Sequence, residues 1–150
     1  MAAAAGATPM AGMSSGSGEL RCVCAAAVSS RDEERLSLLE PQFGATVRTL
    51  LRMMAVAGHR MFVTSTRRTD AEQAALYAKG RTQPGPIVTA CDGVTRRSKH
   101  QDGLACDCAW VGADIWDGPW ELYALVAEGL GLVAGAHWRS FPDRPHVEAK

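Results

Sequence analysis

Three short stretches of the chain hold residue types that can do chemistry together. Asp107 lies within Gly103 to Trp110, where a carboxylate set mid-strand among glycine and alanine is costly to bury unless a cation or hydrogen-bond donors compensate it. His100 precedes it by seven residues across Gly103, a position where the chain can bend sharply, so a ring nitrogen and a carboxylate oxygen can converge on one point. Near the carboxyl end, Asp143-Arg144-Pro145-His146-Val147-Glu148 supplies a second histidine, with one carboxylate three residues before it and another two after. His, Asp and His make a mixed nitrogen and oxygen donor set that suits zinc with a fourth position open to water. A carboxylate outside the ligand set is what hydrolysis needs to take a proton from that water. Spacing alone leaves two readings of Asp107 open: a metal ligand, or an ion pair with one of Arg67, Arg68, Arg96 and Arg97. His59, at a helix end, and His137, in a Gly/Ala loop, read as ordinary surface or core histidines.

The elements that must position these groups are legible in outline. Pro41 suits a first helical turn, Gly58 a helix end, and between them Phe43, Val47, Leu50, Leu51 and Met54 recur at helical spacing as a core-facing stripe. Arg60 to Ser65 is short, β-branched and aromatic, as a buried strand would be. Thr69-Asp70-Ala71-Glu72 matches a capping box and Gly80 a stop, which predicts a helix from Asp70 to Lys79. After the Pro84-Gly85-Pro86 turn a brief strand is expected at Ile87 to Thr89, then a polar loop to Lys99. In the strand Gly103 to Trp110, Leu104, Cys106, Cys108 and Trp110 share a core face, while Asp107 stands alone among Gly103, Ala105 and Ala109 on the other. Pro119 opens a further helix expected to turn Leu122, Leu125 and Val126 inward before Gly129. Short strands are expected around Leu132 to Val133 and His146 to Glu148, the latter placing Glu148 on the face of His146. Helices and short strands without a regular β-α-β rhythm point to an α+β fold.

Length and composition bound the rest. A chain of 150 residues, 47% hydrophobic, can build one core and not two. Sixteen basic residues balance sixteen acidic ones, which gives no support to a nucleic-acid binder. No apolar run approaches the roughly 18 residues of a membrane span. Residues 1–18 are Ala, Gly, Ser and Met-rich, without the charged start of a secretory signal, and read as a disordered tail ahead of a single domain over 19–150. The expectation is therefore a cytoplasmic chain. The five cysteines, Cys22, Cys24, Cys91, Cys106 and Cys108, lack the spacing of a structural zinc site and read as reduced and mostly buried.

The motifs together resemble a known family. Ser98-Lys99-His100-Gln101-Asp102-Gly103-Leu104-Ala105-Cys106-Asp107 fits the S-x-H-x-x-G-x-A-x-D signature of the D-Ala-D-Ala metallopeptidase superfamily at every fixed position. Arg68-Thr69-Asp70-Ala71-Glu72-Gln73, continuing through Leu76-Tyr77 to Gly80-Arg81-Thr82, is similar to a second family segment, and Trp138 with Asp143-x-Pro145-His146-x-Glu148 to a third. Within that superfamily the chain looks most like the L-alanyl-D-glutamate endopeptidases used as bacteriophage endolysins, over about Leu36 to Glu148.

That resemblance implies a small antiparallel sheet with flanking helices, the fold shared by hedgehog-type domains and D-Ala-D-Ala peptidases. It implies one zinc held by His100, Asp107 and His146, Asp143 as general base, Arg68 placed to stabilise the developing oxyanion, and Ser98 and Gln73 as substrate-binding residues. Ser98 reads equally well as a loop-capping hydroxyl. The implied partner is a peptidoglycan stem peptide, met by a monomer. Many exopeptidase relatives carry Glu where this chain has Asp143, which favours the endopeptidase branch. A D,D-carboxypeptidase or D-Ala-D-Ala dipeptidase is the alternative activity, and a non-catalytic zinc-containing binding module the alternative class. Glu148 ranks second as base, with a structural role expected. Thr95-Arg96-Arg97 reads as a solvated charge run, with contact to an acidic stem peptide as the other option.

Overall fold

The computed structural model describes residues 28–112 and 114–150. The expected tail over 1–18, and Cys22 and Cys24, lie outside them. Four helices, α1 (Ser30–Leu36), α2 (Pro41–Val56), α3 (Asp70–Ala78) and α4 (Trp120–Gly129), accompany four strands, β1 (Met61–Ser65), β2 (Ala105–Trp110), β3 (Val133–Ala134) and β4 (His146–Glu148). The strands form one antiparallel sheet in the order β1-β2-β4-β3, so the α+β architecture follows the sequence reading.

Helix α2 is built as its sequence dictates. Pro41 occupies the first turn, where no amide donor is needed, and the Glu40 carboxylate accepts from the amides of Gln42 and Phe43. Phe43, Val47, Leu50, Leu51 and Met54 are all buried, packed with Met61 and Val63 of β1, Cys106 and Cys108 of β2, and Val147 of β4. Each such side chain contributes about 1.5–3 kcal/mol through removal from water. Both faces of β2 are covered, since Ala105 and Ala109 on the Asp107 face are buried as well.

Helix α1 is not marked in the sequence reading, although Ser29-Ser30-Arg31-Asp32 carries its signature: Ser29 and Asp32 form a capping box. The helix lies along β1, where the Asp32 carboxylate accepts from the Val63 amide at 2.8 Å and the Arg35 guanidinium donates to the Val63 carbonyl. Those bonds fall where β1 bulges between Val63 and Ser65, and they close a sheet edge that would otherwise present open backbone groups.

Two expectations are corrected. No strand forms at Ile87 to Thr89, because no neighbouring edge accepts it: the Thr89 carbonyl is bonded by Arg81 and the Thr89 hydroxyl by Gln73 and the Cys91 amide. Helix α4 also turns a different face inward, leaving Leu122 37% and Leu125 55% exposed with only Val126 partly buried. Its buried stripe is Trp120, Tyr123, Ala124 and Ala127, the i, i+3, i+4, i+7 set. Two apolar stripes compete on this helix, and the one with two aromatic rings buries more area while its alanines let the helix approach closely.

Candidate metal centre and cleft

Sheet register brings the first two site residues together. Asp107 of β2 and His146 of β4 are directly paired across the sheet, and their side chains meet at 3.0 Å between Oδ1 and Nδ1. His100 arrives from the turn before β2, which Gly103 closes with a φ of 71°. Any Cβ at Gly103 would also stand 3.3 Å from the Glu40 amide nitrogen, so the bend and the contact with the α2 start both favour glycine there.

The loop after β1 holds His100 at two points. The Arg68 amide donates to the His100 carbonyl at 3.0 Å, and His100 Nδ1 lies 2.6 Å from the Thr66 carbonyl oxygen. A carbonyl only accepts, so the ring proton sits on Nδ1 and the Nε2 lone pair faces the site. His146 is oriented in the mirrored sense: Nε2 donates to the Glu148 carboxylate at 3.1 Å, leaving the Nδ1 lone pair inward.

His100 Nε2, His146 Nδ1 and Asp107 Oδ1 therefore form a triangle of acceptors with edges of 3.0, 3.2 and 3.3 Å. Three lone pairs at that spacing repel one another unless a cation lies among them. Ligand-to-zinc distances of about 2.0–2.1 Å in a tetrahedron imply edges of about 3.3 Å. The residues thus fit zinc in donor type and in spacing, and they are the group of metal-competent side chains found among the described residues.

Electrostatics tell the same story from the protonic side. Burial would raise the Asp107 carboxyl, but a proton held among its oxygen and the rings of His100 and His146 keeps it far below the usual carboxylate range. Burial would lower His146, yet its bonds to Asp107 and Glu148 push it up to about 9. Without a metal the pocket keeps a proton; a metal must displace it.

The ion-pair reading of Asp107 holds, and the carboxylate faces the histidines as well. Its second oxygen, Oδ2, accepts from Arg68 Nη2 at 2.8 Å, so the carboxylate is ion-paired on one side and joined to the histidines on the other. The Arg68 fork is further occupied by Ser65 Oγ and Gln73 Oε1. Of the other arginines offered as Asp107 partners, Arg97 pairs with Asp70 and Asp102.

The triangle opens into a cleft of about 600 Å³ whose lining includes Val88, Trp138, Phe141, Asp143 and Glu148. Asp143 is half-buried on this wall, and its carboxyl is raised above the ordinary value, chiefly by burial and then by the neighbouring Asp107 charge. It is placed by a close backbone approach: the Asp143 amide donates to the Gly135 carbonyl at 2.9 Å, and a Cβ on Gly135 would stand 2.6 Å from the Asp143 carbonyl oxygen. Trp138 stacks obliquely on the His146 ring at 4.9 Å.

Ser98 lines the cleft, and its hydroxyl accepts from the His100 amide at 3.4 Å, so it caps the turn as well. Gln73, expected at the substrate, is instead fully buried behind the wall, with Nε2 donating to the Cys91 carbonyl and the Thr89 hydroxyl. A helix position facing a loop is invisible to spacing arguments. Gln101, which the sequence reading did not single out, does a matching job by bonding the Gly93 carbonyl, the Ser98 amide and Asp70. His137 is an exposed histidine between Glu121 and Glu128, and the Cys106 and Cys108 sulfurs are buried in the core, away from the metal group.

The four-stranded sheet with flanking helices is a fold shared with peptidases of known structure. Over 81% of this chain and 87% of the other, it superposes on the L-Ala D-Glu endopeptidase ChiX of Serratia marcescens with a TM-score of 0.59 at 24% identity. The D,D-dipeptidase VanXYg, solved with a D-Ala-D-Ala phosphinate analogue, gives 0.55 at 19% identity over 74% of this chain and 50% of that one. Residues 92–149 match a peptidase M15 family model described as D-alanyl-D-alanine carboxypeptidase. In sequence it is 36% identical over 104 residues to the peptidoglycan L-alanyl-D-glutamate endopeptidase CwlK of Bacillus subtilis (strain 168). That alignment covers 61% of each, so the chain spans about three-fifths of the length of this curated relative.

Proposed function

We propose that this protein is a zinc-dependent peptidoglycan hydrolase that cleaves the L-Ala–D-Glu bond of stem peptides. The observation that carries the reading is the triangle of inward lone pairs from His100, Asp107 and His146 beside a cleft that holds a non-ligand carboxylate, Asp143. The likeness to CwlK supports the choice of bond.

A zinc ion bound by His100, Asp107 and His146 would polarise the scissile carbonyl and acidify a water molecule toward a pKa of about 7. Asp143 takes the proton of the attacking water and returns it to the leaving D-Glu nitrogen as the C–N bond breaks, leaving a carboxylate on L-Ala and an amine on D-Glu. Its raised pKa suits that exchange, because a carboxyl nearer the working pH both accepts and releases the proton readily. Arg68 orients Asp107 through Oδ2, and its positive charge stays on the cleft wall where the tetrahedral adduct becomes negative. Glu148 holds the His146 tautomer. Action at the cell wall as a monomeric, endolysin-type enzyme released from a cytoplasm belongs to the same proposal. No helix among the described residues is long and apolar enough to cross a membrane.

Digestion of purified peptidoglycan tests the reading. New amino groups on D-Glu and new carboxyl groups on L-Ala, abolished by a chelator, are expected. Free D-Ala as the only product would make the protein a D,D-carboxypeptidase, and no product from several wall chemistries would make it a binding module.

A further inference from the structure

The cleft is rimmed by cations, and most of them are spent. Arg68 pairs with Asp107, Arg97 with Asp70 and Asp102, and Lys99 donates to the Ala149 carbonyl. Arg96 and Arg139 are exposed, line the same cleft, and their guanidinium groups have no hydrogen-bond or ion-pair partner among the described residues. An unpaired guanidinium can bind a carboxylate in a planar, two-point fashion, and this cleft offers two of them.

Arg96 does not sit on a loose solvated run. The Asp92 carboxylate accepts from the Arg96 amide at 2.8 Å, from the Val94 amide at 2.8 Å and from the Thr95 hydroxyl. Behind it, buried Gln101 bonds the Gly93 carbonyl at 3.0 Å and buried Gln73 the Cys91 carbonyl at 2.9 Å. A loop tethered at both positions presents its arginine from a backbone that is already ordered.

The proposed substrate supplies the matching anion. The D-Glu residue on the amine side of the scissile bond carries two carboxyl groups, and peptide linkage consumes at most one of them. We infer that Arg96 and Arg139 are specificity-determining residues that bind the free carboxylate of D-Glu and so distinguish it from the amidated form. This inference rests on the L-Ala–D-Glu reading of the site.

The test uses two synthetic stem peptides that differ only in whether that carboxylate is free or amidated, with wild type, Arg96→Gln, Arg139→Gln and the double variant, all checked for equal zinc content. Wild type is expected to favour the free acid, and each substitution to cost about tenfold or more in kcat/KM on it, the worth of a charge-assisted contact, mostly through KM. The loss on the free acid should exceed that on the amide by a similar factor and should shrink at high salt, and Arg96→Lys should recover part of it. Preference retained in the double variant, or equal losses on both peptides, overturns the inference while leaving the hydrolase reading intact. If wild type cuts neither peptide, the hydrolase reading fails. Calorimetric binding of the same two peptides then decides separately: a carboxylate preference that vanishes in the double variant upholds the receptor, and absent or unaltered preference overturns it.

Discussion

His100 and His146 meet edge to face, with ring centroids 5.1 Å apart and the Nε2 of the first 3.3 Å from the Nδ1 of the second. Two ring nitrogens do not stand at that distance unless a proton or a cation lies between them. The Thr66 carbonyl and the Glu148 carboxylate force both tautomers into that arrangement. Removing any one of His100, Asp107 and His146 by alanine substitution should abolish stoichiometric zinc. For wild type, metal at a hundred times its dissociation constant should add about 2.7 kcal/mol to stability. Metal analysis and thermal melts with and without chelator measure both, and full zinc retention in all three variants would exclude this centre.

Asp143→Ala should keep fold and zinc content but lower turnover by about 10² to 10⁴, the usual contribution of a general base. Glu148→Gln should act differently, because Glu148 bonds His146 Nε2, on the far side of the ring from the proposed metal. Its expected defect is a zinc affinity lower by about 10 to 100-fold, with turnover largely restored at saturating metal. Steady-state kinetics over a zinc titration separates the two; a reversed pattern would make Glu148 the base.

Gly135→Ala places a methyl group 2.6 Å from the Asp143 carbonyl oxygen and 3.0 Å from His146 Cβ. Backbone cannot yield as a flexible side chain can, so the variant should lose about 1–3 kcal/mol in denaturant unfolding. Turnover should fall with it even at saturating zinc, since Asp143 and His146 move together. A variant of wild-type stability and rate would show that this close approach is not needed.

His137 joins α4 to the segment leading into Trp138 through Glu128 at 2.8 Å and Glu121 at 3.4 Å, and these bonds raise its pKa above 6.5. The protonated form is thus favoured by folding. Its contribution is complete below pH 6.5, the ordinary value, and is lost as pH climbs through the raised one. The stability difference between wild type and His137→Gln should narrow over that window. A difference that does not vary with pH from 5 to 9 would show that the two ion pairs add nothing, as exposed pairs often do.

The sequence by itself determined what is local. The capping box at Thr69, the proline start and apolar stripe of α2, the alternation of β2 with one unaccounted carboxylate, and the spacing of His100 from Asp107 are all short-range facts, and each is present in the structure. Only the tertiary structure decided the rest, because it depends on what lies opposite. The β2–β4 register put Asp107 against His146; a shift of one residue would have turned one of them to the other face. Packing against the rest of the core chose the Trp120–Tyr123 stripe of α4 over its leucines. The lack of a neighbouring edge left Ile87 to Thr89 without a strand, and the loop it became drew Gln73 inward to hold it. Asp107 could satisfy an arginine and two histidines at once because a carboxylate has two oxygens, and only the fold could aim each of them.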